Sequence, residues 1–294
     1  MTEATATEGR IVGAALVSHH PGLAQEEDFR LKAGAGRDSD LIAGYGRLRR
    51  HLDRVAADTL VIIDTHWFTT GYHLIDAGAR YEGSYVSDEM PWYLADRPYA
   101  YDGDPALARL CEAVAKERGI MARCADHPAL PRHYGTVNLV NALGKGEKVL
   151  TLSCCQNAQN EHFLAMGAVL GEAIRRSGKR VVILASGALS HKFVPIDWQQ
   201  VHPRIYHPDN VSSAHHRARD QEAIALLSAG RHGDLLRDFA EDFRRLPWEA
   251  LGAHYLQMVG ALGGAACTAP GACLSEYENA RGTGNIHIWF EGEA

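Results

Sequence analysis

Four apolar runs rich in β-branched residues constrain this chain more than any other feature: Ile11 to Val17, Thr59 to Asp64, Lys148 to Ser153 and Arg180 to Ala185. Each fades into a polar loop. A strand that is apolar at consecutive positions is covered on both faces, as in a parallel sheet packed by helices on each side. Helical patterns lie between the runs. Leu41, Tyr45, Leu48, Leu52 and Val55 recur at spacings of three and four, which predicts a helix with one apolar face. Asp104 to Gly119 has an acidic start, Pro105 in its first turn and a glycine as its stop. Glu161 to Arg176 predicts a further helix. Strands alternating with helices predict an α/β fold, a single domain with a mostly parallel central sheet flanked by helices.

Beyond about residue 195 the pattern changes. Pro195, Pro203 and Pro208 mark loops, helices are expected near Ser212 to Ala229 and Leu251 to Leu262, and a Gly-rich stretch precedes a terminal strand, Asn285 to Phe290. With no repeat or long linker, residues 1–294 are expected to form one catalytic domain, with the polar residues 1–10 flexible. The same polar start lacks the apolar core of a secretory signal, and no run approaches the roughly 18 apolar residues of a membrane span. Lys and Arg number 30 against 36 Asp and Glu, a net charge of -6, which does not attract phosphate backbones. A nucleic-acid or membrane partner is therefore not expected. The six cysteines include no CxxC pair and read as reduced thiols of a cytoplasmic protein. Histidine stands out, with 16 residues.

In open α/β sheets ligands bind beyond the carboxyl ends of the strands. Three of the predicted strands deliver a histidine there: Ser18-His19-His20-Pro21, Asp64-Thr65-His66-Trp67, and Ser186-Gly187-Ala188-Leu189-Ser190-His191. Two imidazoles and one carboxylate make the facial triad of non-haem Fe(II), which leaves adjacent positions open for substrate and O2. The same set with one open position suits a hydrolytic zinc. Spacing leaves both readings standing.

The motifs also carry a likeness. Ser18 to Pro21, Asp64 to Trp67, His133-Tyr134-Gly135-Thr136, Ala185 to His191 and Gly282-Thr283-Gly284 recur in this order in one family. The chain resembles the class III extradiol ring-cleavage dioxygenases, the superfamily of the protocatechuate 4,5-dioxygenase β subunit. It is most similar to the branch of 3,4-dihydroxyphenylacetate 2,3-dioxygenase and the catalytic subunit of 2-aminophenol 1,6-dioxygenase. Tyr72-His73, Tyr81-Glu82-Gly83, the Asp88-Glu89-Met90-Pro91 turn and Asp102-Gly103-Asp104-Pro105 belong to the same likeness, which spans nearly the whole chain.

The resemblance implies that His19 and His66 are iron ligands and that Glu249, before the late apolar helix Tyr255 to Leu262, is the third. The stretch after it, Ala250-Leu251-Gly252-Ala253-His254, departs from the branch, which has a small-residue, Gly-containing segment there. His191 matches the family's acid/base histidine, and Tyr134 matches a tyrosine of this branch. The resemblance further implies an Fe(II) cofactor, a catecholic or aminophenolic substrate with O2, a muconic semialdehyde-type product, and a homo-oligomer or an assembly with a related subunit. A zinc hydrolase on the same residues and a non-catalytic partner subunit are the rival readings; a dead subunit has no need of His19, His66 and His191.

The chemistry agrees with these roles. Opening a ring beside a diol needs a base for the phenol proton and an acid for O–O cleavage, and an imidazole titrating near neutrality serves as both. Other residues have plainer readings. His20 is expected to support the ligands from outside or to be structural, because adjacent histidines do not both point at one metal. His202, His207, His215, His216 and His232 are expected at the surface, as is the charged run of Glu241, Asp242, Arg244 and Arg245. Glu276 and Glu278 are the remaining late acids, at a sheet edge or a pocket. Cys154 and Cys155 read as packing thiols, Gly282 to Gly284 as a pocket floor or a turn, and Trp67, Trp92 and Tyr93 as candidates for gripping the ring.

Overall fold

All four apolar runs become neighbouring strands of one eight-stranded sheet in the structure, a computed structural model that describes residues 8–241 and 246–292. They are β1 (Arg10–Val17), β2 (Thr59–Thr69), β7 (Lys148–Cys155) and β8 (Arg180–Ser186). They lie in the order β7-β2-β8-β1, each pair parallel. Their side chains alternate between two cores, as a period of two requires. Ile11, Leu16, Val61, Ile63, Leu150, Val181 and Ile183 face one side. Val12, Val17, Leu60, Ile62, Val149, Val182 and Leu184 face the other. A buried Leu, Ile or Val contributes about 1.5–3 kcal/mol, so a sheet lined on both faces holds the frame of the site rigidly.

Helices cover both faces. On the first lie α3 (Pro105–Glu117), α5 (Asn160–Ser177) and α8 (Ala253–Ala261). The second is covered by α2 (Asp40–Val55) and α4 (Tyr134–Leu143). All five apolar positions read as the face of α2 are buried. Helices α5 and α8 cross where glycines allow their backbones to meet. A Cβ at Gly167 would stand 2.1 Å from the Gln257 carbonyl oxygen, and one at Gly260 would stand 2.4 Å from that of Leu164. Helix α1 (Glu27–Ala33) follows the first strand, and α6 (Ala214–Ser228) and α7 (His232–Glu241) precede the late turn.

The sheet is more mixed than the four central strands imply. On one flank, β3 (His73–Asp76) runs antiparallel to β7 and pairs with β6 (Ala122–Ala125). On the other, β12 (Ile288–Glu291) runs antiparallel to β1 and to β9 (Gly271–Cys273). The terminal strand expected over Asn285 to Phe290 is divided: β11 (Thr283–Asn285) pairs with β10 (Glu278–Ala280) in a separate ribbon. A second ribbon, β4 (Arg80–Tyr85) with β5 (Arg97–Asp102), projects the turn that carries Glu89. Residues 1–7 and the Asp242, Arg244 and Arg245 part of the charged run lie outside the described residues. Gly9 donates to the Arg175 carbonyl, and Arg10 already belongs to β1. Among the described residues no helix is long and apolar enough to cross a membrane, and all six cysteines are free thiols.

Candidate metal centre

Three side chains from distant parts of the sequence meet at the carboxyl edge of the sheet. His19 lies just past the end of β1 and is 3% exposed. His66 lies inside β2, which continues beyond the expected end at Asp64. The ladder to β7 skips from Ile63 opposite Leu152 to Phe68 opposite Cys154, and this bulge turns His66 toward the edge. Glu249, 6% exposed, follows a segment antiparallel to the loop after β8. One donor atom from each of His19, His66 and Glu249 lies within 4.8 Å of the others.

Their neighbours fix which atoms face inward. The Ser186 hydroxyl donates to the Gly135 carbonyl at 2.8 Å and so can only accept from His19 Nδ1–H, also at 2.8 Å. His66 Nδ1 lies 3.0 Å from the Glu89 carboxylate, which accepts its proton. Both rings are thereby held with Nε2 turned inward, the atom that offers a lone pair to a metal once it carries no proton. These Nε2 atoms stand 3.5 Å and 3.0 Å from Glu249 Oε1, and that of His66 is buried without a hydrogen bond. Glu249 is oriented in turn by the Thr65 hydroxyl on Oε1 at 2.9 Å and by the Ala188 N–H on Oε2 at 2.7 Å. Two inward imidazole nitrogens beside an ionised carboxylate form a donor set that fits a divalent cation.

The electrostatics favour positive charge here. Burial pushes the Glu249 carboxyl up, but His19 and His191 outweigh it and hold the group well below the usual carboxylate range. Burial likewise disfavours a proton on His66, yet Glu249 and Glu89 overcome it and raise its pKa to about 10. A metal at this site displaces that proton, so metal binding strengthens as pH rises.

Tyr134 and His191 complete the group. Tyr134 opens α4, with its ring 3.9 Å from that of His66 and edge-on to His19 at 5.3 Å, between centroids. Burial raises its pKa, so the hydroxyl stays a donor. His191 is half-buried, its N–H donates to the Pro247 carbonyl, and its ring stands edge-on to Phe193. All five residues border one cavity of about 30 Å³, room for about one water. His191 and Glu249 also border a cleft of about 460 Å³ with Phe68, Cys154, Trp248 and Leu251 on its walls. That volume falls in the range of small-molecule sites.

Immediately after Glu249 the chain makes a left-handed turn instead of starting the expected helix at Leu251. Ala250, Leu251 and Gly252 have φ of 47°, 62° and 70°, and α8 begins at Ala253. Non-glycine residues pay about 1–2 kcal/mol each for this conformation. The strain sits where the departure from the family's Gly-containing segment falls.

Other expectations sort cleanly. His20 is structural: its Nδ1 accepts from the Gly22 N–H, and burial lowers its pKa to about 3. Trp67 is buried and Trp92 exposed, and neither they nor Tyr93 border the cavity or the cleft. His232, expected at the surface, is fully buried between the Tyr255 hydroxyl and the Ala269 carbonyl. Its place at the start of an amphipathic helix gave no sign of which face it would take. Glu276 pairs with Arg37 at the surface, and Glu278 is buried against Arg204 and Ser39, so neither approaches the cluster. Sequence reasoning missed Ser186, Glu89 and Thr65, although each lies within a quoted motif.

An α/β chain that gathers two imidazoles and one carboxylate at the carboxyl edge of its sheet has the donor arrangement of a mononuclear metal enzyme. The family described as the catalytic LigB subunit of aromatic ring-opening dioxygenase matches residues 13–291, and the chain belongs to it. It is an extradiol dioxygenase. It is 28% identical over 189 residues to 3,4-dihydroxyphenylacetate 2,3-dioxygenase of Escherichia coli, covering 63% of this chain and 68% of that one. It is 26% identical over 255 residues to the 2-aminophenol 1,6-dioxygenase beta subunit of a Pseudomonas species, covering 80% of each. The crystal structure of an uncharacterized protein from Escherichia coli K12 shares the fold, with a TM-score of 0.62 at 17% identity over 95% of this chain and 99% of that one.

Proposed function

We propose that the chain binds Fe(II) through His19, His66 and Glu249 and opens a catechol-type or 2-aminophenol-type ring beside its paired substituents, adding both atoms of O2. The observation that carries this reading is the pair of inward Nε2 atoms set against an ionised, buried carboxylate. When bound, Fe(II) supplies electron transfer between an electron-rich ring and O2. The chain's own residues do the rest. The cavity beside the ligands is too small for an aromatic ring, so the ring enters from the adjoining cleft, between Trp248 and the His191 imidazole. His191 takes the phenolic or anilinic proton and later returns one to the departing oxygen. Tyr134, kept protonated by burial, donates a hydrogen bond into the cavity. We place the enzyme in the cytoplasm, in aromatic catabolism, as a homo-oligomer or with a related subunit.

The test is anaerobic loading with Fe(II) followed by O2 and a panel of catechols and 2-aminophenols. Yellow ring-fission products, abolished by chelation or oxidation to Fe(III) and restored by Fe(II) with a reductant, are expected. Equal turnover with Zn(II), or hydrolysis indifferent to O2, would replace the reading with that of a zinc hydrolase.

A further inference from the structure

Twenty-nine residues after His191, on the buried side of α6, a carboxylate is fully buried and takes no part in the metal cluster. Asp220 is 0% exposed. Its Oδ1 accepts from the Ser190 N–H at 3.1 Å and the Ser190 hydroxyl at 2.7 Å. Its Oδ2 accepts from the Tyr277 hydroxyl at 2.6 Å. Burying a carboxylate costs several kcal/mol unless such partners are supplied. Here burial raises its pKa to about 6, and Tyr277 and Ser190 offset part of that rise.

The donors belong to the segment that carries His191. Residues 189–192 run between two backbone segments. On one side the His191 N–H donates to the Pro247 carbonyl and the Glu249 N–H to that of Leu189. On the other, the Leu189 N–H donates to the Gly284 carbonyl and the Gly284 N–H to that of Ser190. These ladders set the height of the segment but leave the Ser190 N–H for Asp220. Gly284 makes room for the carboxylate, since a Cβ there would stand 2.2 Å from Asp220 Oδ2. Within the Gly282 to Gly284 motif, Gly284 is thus explained by close approach to Asp220, while Gly282 turns at φ of +91° and Thr283 borders the cavity.

We infer that Asp220 is a positioning residue for His191, clamping Ser190 from the side the backbone ladders leave open so that the imidazole is aimed into the cavity. The inference rests on the proposed acid/base role of His191. A displacement of about 1 Å in a reacting group costs up to about 10²-fold in rate. A residue that acts only through another loses its effect when that other is removed.

The experiment is a double-mutant cycle of Asp220→Asn and His191→Ala on the Fe(II)-loaded protein, with metal content, KM and kcat read for each variant. Asp220→Asn is expected to keep its iron, hold KM within about threefold and lower kcat about 10–100-fold. In the His191→Ala background it is expected to change kcat less than twofold. Equal losses in both backgrounds, or loss of iron, would overturn the inference and leave the proposed function standing. Normal turnover by His191→Ala would instead overturn the role of His191 and the inference together. If Asp220→Asn does not fold, Ser190→Ala and Tyr277→Phe, each removing one donor, complete the same cycle with the same criteria.

Discussion

The Ser186 hydroxyl, by donating to the Gly135 carbonyl, leaves only its lone pairs for His19 Nδ1 at 2.8 Å and so decides which nitrogen of His19 faces the cluster. Glu89 does the same for His66 from an exposed turn. Removing such an outer partner typically costs 10–100-fold in metal affinity. Ser186→Ala and Glu89→Gln are each expected to weaken Fe(II) binding within that range, measured by competition with a chelator, while the variants stay folded. Unchanged affinity in both would show that the ring orientations are set elsewhere.

His191→Ala is expected to retain its iron and lose about 10²–10⁴-fold in kcat, the usual worth of a general acid–base group. Iron analysis and steady-state turnover on the same preparation check this. A folded variant that has lost its iron would make His191 a ligand.

The left-handed turn after Glu249 predicts a stabilising substitution. Leu251 has φ of 62° and is 42% exposed, so Leu251→Gly relieves strain that the loss of a half-buried side chain offsets only in part. A net gain of up to about 1 kcal/mol, a rise of up to about 2–4 °C in Tm, is expected by calorimetry. Gly252→Ala acts oppositely, because φ is +70° and a Cβ would stand 2.6 Å from the Phe239 ring. A lower Tm for Leu251→Gly would contradict this account of the turn.

His287 is fully buried, with Nδ1 accepting from the Ser18 N–H and Nε2–H donating to the Leu41 carbonyl. Burial lowers its pKa from 6.5 to about 4. Between those values the unfolded chain binds the proton and the native one does not, so the stability is present above pH 6.5 and lost as pH falls toward 4. Denaturant unfolding of the wild type and His287→Gln between pH 7.5 and 5 checks the sign. The variant's stability is expected to fall less steeply, by up to about 1.4 kcal/mol per pH unit. Parallel pH profiles would contradict it.

The legibility of the molecule follows burial. Strands β1, β2, β7 and β8 are covered on both faces and so read as continuous apolar runs, and α2 shows its buried stripe at helical spacing. Strand β4 is mostly exposed, β5 alternates over only six residues that include Pro98, and β9, β10 and β11 have three residues each, too few for a period to register. In the site, His19, His66 and His191 are visible because each follows the end of an apolar run. Glu249 was reached only through resemblance, because it follows a loop and precedes a turn whose handedness a sequence with Ala250 and Leu251 does not suggest. Asp220 was invisible, since an acid within the polar pattern of α6 reads as solvated until its partner segment is placed beside it.

The central claim is that Glu249, and no other late acid, completes the metal site. It is tested most directly by the iron content of Glu249→Ala beside Glu276→Ala and Glu278→Ala, each purified, shown to be folded and loaded anaerobically with Fe(II). Glu276 pairs with Arg37 at the surface and Glu278 with Arg204 away from the cluster, so both variants are expected to bind one iron per chain, with Glu278→Ala less stable for leaving a buried guanidinium unpaired. Glu249→Ala is expected to retain little or none. A full complement of iron in Glu249→Ala would contradict the account.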